Sequence, residues 1–342
     1  MVGIKVAERD DGASAQTDGA GDGSCYPGLQ PPHMIDYDHH RWLKIVFTFH
    51  GSVASRMIGR IGLAAGLGVV AVWAHRTAGV AVPPIAHTLI GVALGLLLVF
   101  RTNASYGRYA EARTLLGQLV WASRDLARQL AASVPRDAHG VAARRDISRW
   151  TSAYYRLLVQ KLRNGDDLPA LADRLTPDEL AQLAGVRFRV LVVGSWITAK
   201  LEALARSKLV SEMILHAMDR NLTAMVQACT GCERIRRTPV PFAYAQHIKV
   251  FLVVFCYTVP FVIVDTLHMW TPIASAVLAF ALFGIDEIGV EIEDPFGTDP
   301  NDLPMDEIGV GVDTMLSELL EPPSLDGHDA PEEVRVAAPA AE

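Results

Sequence analysis

The sequence predicts an all-α membrane protein with four transmembrane helices and a helical domain in the cytoplasm. Half of the 342 residues are hydrophobic, the mean hydropathy is +0.22, and only 20% of residues are charged. Soluble domains carry about 25% charged residues. Several apolar stretches approach the roughly 20 residues that a helix needs to cross a bilayer. Between them, leucines recur at helical spacing and strand patterns are few.

The first two predicted spans lie in the first third of the chain. Residues 53–74 form the weaker candidate because they include Arg56 and Arg60, whose long side chains can extend toward an interface. Residues 78–100 form the clearest candidate because they carry no formal charge. Pro83 and Pro84 lie near its outer end, where a missing backbone N–H is tolerated.

A later apolar region, residues 250–285, is too long for a single span. Asp265 and His268 interrupt it, and Trp270 is typical of a membrane interface. We therefore predict two shorter spans joined by a tight outer loop.

The distribution of basic residues predicts how the spans are oriented. Arg76 is the only Lys or Arg in the loop between the first two spans. Their other ends are flanked by a basic set: Arg41, Lys44, Arg56, Arg60, Arg101, Arg108 and Arg113. Cytoplasmic segments carry the excess of basic residues. We predict a multi-pass protein of the cell (inner) membrane with both termini in the cytoplasm.

The spans and the local composition divide the chain into six predicted segments. Both ends are rich in small, polar or proline residues without an apolar core, a composition typical of disorder. The predicted segments are a disordered arm (1–35), an interfacial segment with the first two spans (36–104), a helical cytoplasmic domain (105–240), the last two spans (241–286), an acidic turn with a C-terminal segment (287–321) and a disordered tail (322–342).

Composition and motifs argue against several classes of function. The net charge of −7 gives no reason to expect a nucleic-acid partner. Cys229 and Cys232 have CxxC spacing, but no second cysteine pair or nearby histidine pair completes a zinc site, so we favour structural cysteines. No GxSxG, HExxH, P-loop or EF-hand pattern occurs. We predict a protein that is not an enzyme and that needs no cofactor or metal.

The most informative stretch is IDEIGVEIEDPFGTDPNDLP, at residues 285–304. It places a row of carboxylates directly after the apolar run 269–285. A charge at the bilayer centre costs about 2.5–3.5 kcal/mol on insertion scales. The row therefore marks where a helix leaves lipid and enters water.

Three motifs in this order resemble the bacterial branch of the bestrophin family. They are FRTNASYGRYAEAR at 100–113, GCERI at 231–235 with PVPFAY at 239–244, and the acidic stretch at 285–304. The resemblance extends over about residues 42–320. It implies an ion channel in which five copies surround one axis, with the lipid bilayer and inorganic ions as the other partners.

The resemblance also implies a narrow apolar neck lined by the second span. It places the neck on a row of residues four apart: Ile85, Leu89, Ala93 and Leu97. Apolar constrictions of this kind gate by dewetting. A competing row on the same helix is Thr88, Val92, Leu96 and Phe100. The plainer interpretation is that Leu89 and Leu97 face neighbouring helices or lipid.

A second constriction is implied at the cytoplasmic exit. Alternative alignments place it at Ile214 or at Met213, and core packing is the plainer role for either. Near the neck, Arg101 and Arg108 either attract anions or pair with carboxylates such as Asp286. We favour pairing.

The acidic stretch matches the position where animal relatives hold calcium in a denser acidic run. Here Thr298, Pro300 and Asn301 thin that run. Asp299 and Asp302 remain as a weak cation site, because a tight calcium site needs about six to eight oxygen ligands. We expect a structural turn rather than a calcium gate.

The sign of the conducted ion is decided by no single residue. Animal and plant relatives conduct anions, whereas bacterial relatives include cation-conducting forms. The acidic exit favours cations, and Arg101 and Arg108 favour anions. We expect chloride or another anion, with sodium as the alternative ion. A membrane-anchored scaffold or regulatory protein without conductance is the alternative from another class.

Overall fold

The computed structural model describes residues 53–320, without the side chain of Ala54. The predicted arm, the start of the interfacial segment and the predicted tail lie outside this range. Every regular element within it is helical, which confirms the all-α prediction. The α-helices are α1 (Ala54–Ala78), α2 (Pro84–Ser133), α3 (Ala138–Leu162), α4 (Pro177–Leu183), α5 (Arg189–Arg206), α6 (Glu212–Arg237), α7 (Phe242–Leu267), α8 (Thr271–Glu291) and α9 (Met305–Leu320).

Within residues 53–320, three helical stretches are long and apolar enough to cross a membrane: Ser55–Ala78, Pro84–Ser133 and Phe242–Glu291. The third consists of α7 and α8, separated by a short 3₁₀ turn at His268–Trp270. His268 adopts a φ of 44°, a conformation that L-residues rarely take and that accompanies the tight reversal. The helices then run antiparallel, because Lys249 lies 3.3 Å from Asp286 and Tyr257 stacks near Phe283.

A first core forms where α1, α2, α7 and α8 meet. Its buried members come from all four helices: Met57, Ala64, Leu94, Leu98, Ile248, Leu252, Cys256, Ala279 and Phe283. Small residues allow the helix backbones to approach closely, as is common in membranes. At Gly68 of α1, an added Cβ would lie only 2.6 Å from the Cα of Pro272 on α8.

A second core joins the C-terminal half of α2 to α3, α5, α6 and α9. The predicted leucine repeat is confirmed, since Leu116, Leu119 and Leu126 are buried. Helices α3 and α4 each begin at a side-chain cap. Asp137 accepts the N–H of Gly140 at 2.7 Å to start α3, and Thr176 with Glu179 forms a capping box at α4.

The C-terminal helix α9 is fixed to α3 by polar contacts. Asp313 on α9 accepts from Arg156 at 2.7 Å, and Tyr155 donates to the carbonyl of Met305 at 2.9 Å. Arg163 also pairs with Asp306 at 2.8 Å. These contacts hold the end of the described chain against the second core.

Helix α2 connects the two cores without a break. Its 50 residues correspond to a length of about 75 Å at 1.5 Å per residue. Helix α6 packs antiparallel to the second half of α2: Arg108 contacts the carbonyl of Ile235, and Gly231 lies against Leu115. The distal end of α6 is therefore the one that begins at Glu212.

We expect Gly68→Ala to destabilise the packing of α1 on α8. The added methyl meets backbone atoms that cannot rotate away, and overpacking of this kind typically costs about 1–3 kcal/mol. Gly66→Ala is the matched control, because nothing lies within 4 Å of its added Cβ. Thermal unfolding in detergent should show a lowered midpoint for the first variant alone, and equal midpoints would contradict this packing.

Candidate functional site

The carboxylates at the end of α8 connect α8 to α1, α2 and α7. Asp286 is buried and accepts from the equally buried Arg101 of α2. Lys249 of α7 lies 3.3 Å from the same carboxylate. On the other side, Arg60 of α1 donates to Glu287 at 3.0 Å. The expected pairing of Arg101 is therefore confirmed, and its charge is neutralised inside the protein.

Arg108 has a different role from the one expected. It donates to the backbone carbonyls of Ile235 at 2.7 Å, Glu293 at 3.2 Å and Thr238. The last carbonyls of a helix lack intrahelical partners and carry partial negative charge. Arg108 therefore caps α6 and ties it to the segment after α8, instead of pairing with a side-chain carboxylate.

The acidic turn after α8 continues this pattern of contacts. Asp294 pairs with Arg236 of α6 at 2.8 Å, and Asp299 pairs with Arg56 of α1 at 3.0 Å. Most of the carboxylates that ended the last apolar run thus hold neighbouring helices together.

Asp302 differs from the rest of the acidic turn because it is buried, with 5% exposure, and accepts the backbone N–H of Asp299 at 2.7 Å. Burial, with help from the nearby charges of Asp299, Asp294 and Glu291, raises its pKa to about 6. Asp299 and Asp302 are thus brought together as a hydrogen-bonded turn. Across residues 53–320, no group of three or more His, Cys, Asp or Glu side chains is placed to hold a metal ion. The weak cation site stays a prediction.

The raised pKa of Asp302 predicts how stability depends on pH. The folded pKa, near 6, lies above the ordinary 3.8, so ionisation of this carboxyl opposes folding. The contribution of the protonated Asp302 carboxyl to folding stability is present at low pH and is lost as pH rises through about 6. Asp302→Asn keeps an acceptor for Asp299 and removes the charge. We expect the variant to exceed the wild type by about 1–2 kcal/mol at pH 8 and to match it near pH 4.

Apparent unfolding midpoints in detergent between pH 4 and pH 8 test this expectation. Asp173→Asn is the control, because Asp173 is half exposed, pairs with the neighbouring Arg174 and is not among the charges that act on Asp302. Parallel pH profiles for the wild type and Asp302→Asn would contradict the assignment of the buried charge.

The predicted neck row lies along the face of α2 that this chain leaves uncovered. Ile85, Leu89 and Ala93 are exposed, and Leu97 is half-buried against the first core. The opposite face, including Leu94, is buried. The competing row is also exposed at all four positions: Thr88, Val92, Leu96 and Phe100. Both rows therefore remain available to face a pore, and the neck assignment stays a prediction.

The two candidates for the exit constriction point in different directions. Met213 is 82% exposed in the first turn of α6. Ile214 is half-buried and packs against the second core. Its backbone N–H donates to the capping hydroxyl of Ser211. The geometry favours Met213 as a residue that could meet another surface.

The CxxC cysteines are buried inside the second core. Burial raises the pKa of both Cys229 and Cys232 to about 12. Thiols react with oxidants and metals chiefly as thiolates, so this environment makes both side chains inert at neutral pH.

A feature that the sequence reasoning missed lies on α6. Apart from Glu212 at its start, the exposed residues of this helix recur at alternating spacings of three and four. We call this row the α6 stripe: Met213, His216, Arg220, Thr223, Gln227, Thr230, Arg234 and Arg237. The spacing is present in the sequence, but which side of α6 is exposed depends on how the helix packs against α2 and α5.

Comparison with known proteins agrees with this architecture. A family model described as Bacterial/Fungal Bestrophin protein matches residues 34–318. The chain belongs to the bestrophin family. The match begins before the first described residue and ends within α9, so it includes every helix of the structure.

Curated relatives of this bestrophin carry a functional name. A protein of Salmonella typhi called "Voltage-dependent anion channel-forming protein YneE" is 32% identical over 294 residues, covering 84% of this chain and 94% of the relative. A protein of Nostoc sp. called "Voltage-dependent anion channel-forming protein alr2987" is 33% identical over 291 residues, covering 84% and 95%.

Solved structures share the fold. The crystal structure of a bacterial bestrophin homolog from Klebsiella pneumoniae superimposes with a TM-score of 0.74 at 28% sequence identity. The superposition covers 78% of this chain and 98% of that one. The predicted all-α bestrophin fold and the family are therefore confirmed, and the count of four spans stays a prediction.

Proposed function

We propose that this bestrophin is a channel, not an enzyme, and that it conducts chloride or similar anions passively through a pore between copies of the chain. Relatives about one-third identical over most of their length are named anion channel-forming proteins, which supports the choice of anions over sodium.

One observation carries the proposal. The membrane half of α2 exposes apolar residues on one face and packs on the other against α7 and α8. A channel protein needs such a face, because a constriction between several copies must be lined by side chains that no copy buries within itself. The row of Ile85, Leu89, Ala93 and Leu97 is our proposed neck, and Met213 our proposed exit constriction.

The same proposal extends to topology and assembly. We place α1, the first half of α2, α7 and α8 across the cell membrane as four spans, which leaves both termini and residues 105–240 in the cytoplasm. The hairpin of α7 and α8 supports this arrangement because its turn carries Trp270 at one end and its carboxylates lie at the other. Five copies around one axis would bring five α2 helices to the pore.

Reversal potentials test conduction and ion sign together. The purified full-length chain is reconstituted in a planar bilayer with a tenfold NaCl gradient. A reversal potential near the chloride equilibrium potential is the expected result. A value near the sodium equilibrium potential would replace the anion by a cation, and absence of any current would favour a membrane-anchored scaffold.

The neck is tested by a matched pair of leucines on α2. Leu89→Ser should raise single-channel conductance severalfold, because a hydroxyl wets an apolar constriction that gates by dewetting. Leu96→Ser is the control, since Leu96 is similarly exposed on the competing row. Leu97 is less suitable because it is half-buried, so its replacement also changes packing. Increased conductance in Leu96→Ser with none in Leu89→Ser would move the neck to the other row.

A further inference from the structure

The α6 stripe has a direction that relates it to the proposed pore. Helix α6 lies antiparallel along α2, with Gly231 against Leu115 and Asn221 donating to Asp125 at 2.9 Å. Arg237 therefore lies at the membrane end of the stripe and Met213 at the distal end. The 24-residue interval corresponds to about 36 Å of helix. A single stripe thus extends from the base of the membrane helices to the proposed exit.

The stripe is narrow as well as long. Residues beside it, such as Ala217, Ala224 and Gly231, are half-buried, while the opposite side of α6 lies in the second core. Alternating spacings of three and four average 3.5 residues, so the row stays nearly parallel to the helix axis. A surface of this shape suits the wall of a conduit between copies, which continues the path that leaves the apolar neck.

The chemistry of the stripe suits anions. Thr223, Gln227 and Thr230 offer hydroxyl and amide donors that can replace part of an anion's hydration. No carboxylate belongs to the stripe; Glu212 lies beside its distal end and Asp219 is half-buried off it. Apart from these residues and the carboxylates of Glu111 and Glu233, which pair with Arg234 and Arg237, an ion moving along the stripe meets donors and cations.

Of the three arginines in the α6 stripe, only Arg220 has no carboxylate partner within the described residues. Arg234 pairs with Glu111, and Arg237 lies 4.0 Å from Glu233. Arg220 forms no ion pair with any residue between 53 and 320. It lies two turns from Met213, where the proposed path narrows. Its positive charge should therefore raise the local concentration of anions and repel cations.

We propose that Arg220 is a charge-selecting residue of the channel, presented by the α6 stripe to ions between the neck and the exit. This inference rests on the proposed function, and it adds the residue that distinguishes anions from cations on a pathway whose neck is uncharged.

Permeability ratios measured on the full-length chain test the proposal. Arg220→Gln should lower the chloride-to-sodium permeability ratio roughly threefold to tenfold, and Arg220→Glu should lower it further, as expected for one charge close to the ion path. Arg220→Lys should keep the wild-type ratio. The effect should weaken as ionic strength rises from 0.03 M to 0.3 M, because salt screens exposed charges, roughly as the Debye length shortens.

Arg145→Glu is the matched control. Arg145 is an exposed arginine on α3 that forms no ion pair within the described residues and lies on another helix. Glu212→Gln tests the exposed carboxylate at the start of α6 and should leave the ratio unchanged or raise it. A wild-type ratio in Arg220→Glu, or an equal fall in Arg145→Glu, would overturn the role of Arg220 while anion-selective wild-type current left the proposed function intact.

A thiol reagent gives a readout that a merely structural role would not produce. Arg220→Cys is made in a Cys25→Ser background, where the cysteines of the described range are buried. Modification with an aminoethyl reagent should restore anion selectivity, and a sulfonatoethyl reagent should reduce it in the same channels. Identical ratios after both reagents would overturn the proposal. Wild-type channels without anion-selective current would overturn the proposed function as well.

Discussion

The constraint on which this structure depends is the neutralisation of carboxylates at the boundary between membrane and water. Helix α8 delivers Asp286 to a buried position, where the ionised group is tolerable only with a cation beside it. Arg101 supplies that cation from α2, and Lys249 supports it from α7. Removing one partner of such a pair typically costs about 3–5 kcal/mol. The relative positions of the membrane helices are therefore fixed by charge as much as by apolar packing.

The uninterrupted helix α2 gives this constraint a functional consequence. Its first half carries the proposed neck, its centre carries Arg101, and its second half supports α6. Because the middle is held by the buried ion pair and by the contacts of Arg108, the proposed neck and the proposed exit lie on elements with a fixed register. Gating at the proposed neck would therefore require either small side-chain movements at the apolar row or a concerted movement of α2 with α6.

Much of the fold was predictable because membrane insertion imposes strong compositional rules. Apolar runs predicted most of α1, the first part of α2 and the α7–α8 hairpin, and leucine spacing predicted that the region between them is helical. The pairing of Arg101 was also predictable from a cation and a carboxylate at the same membrane depth. The contacts of Arg108 with carbonyls were not, because they depend on where α6 ends relative to α2.

The sequence by itself determined the fold class, the family and the position of the acidic run, since hydropathy, helical spacing and local motifs are properties of the chain. Only the tertiary structure decided which carboxylate pairs with which helix, that Asp302 is buried within its turn, and that Met213 faces outward while Ile214 packs inward. It also decided that Arg220 forms no ion pair within residues 53–320. These features depend on the rotation and register of packed helices, which are set by contacts between residues far apart in the chain.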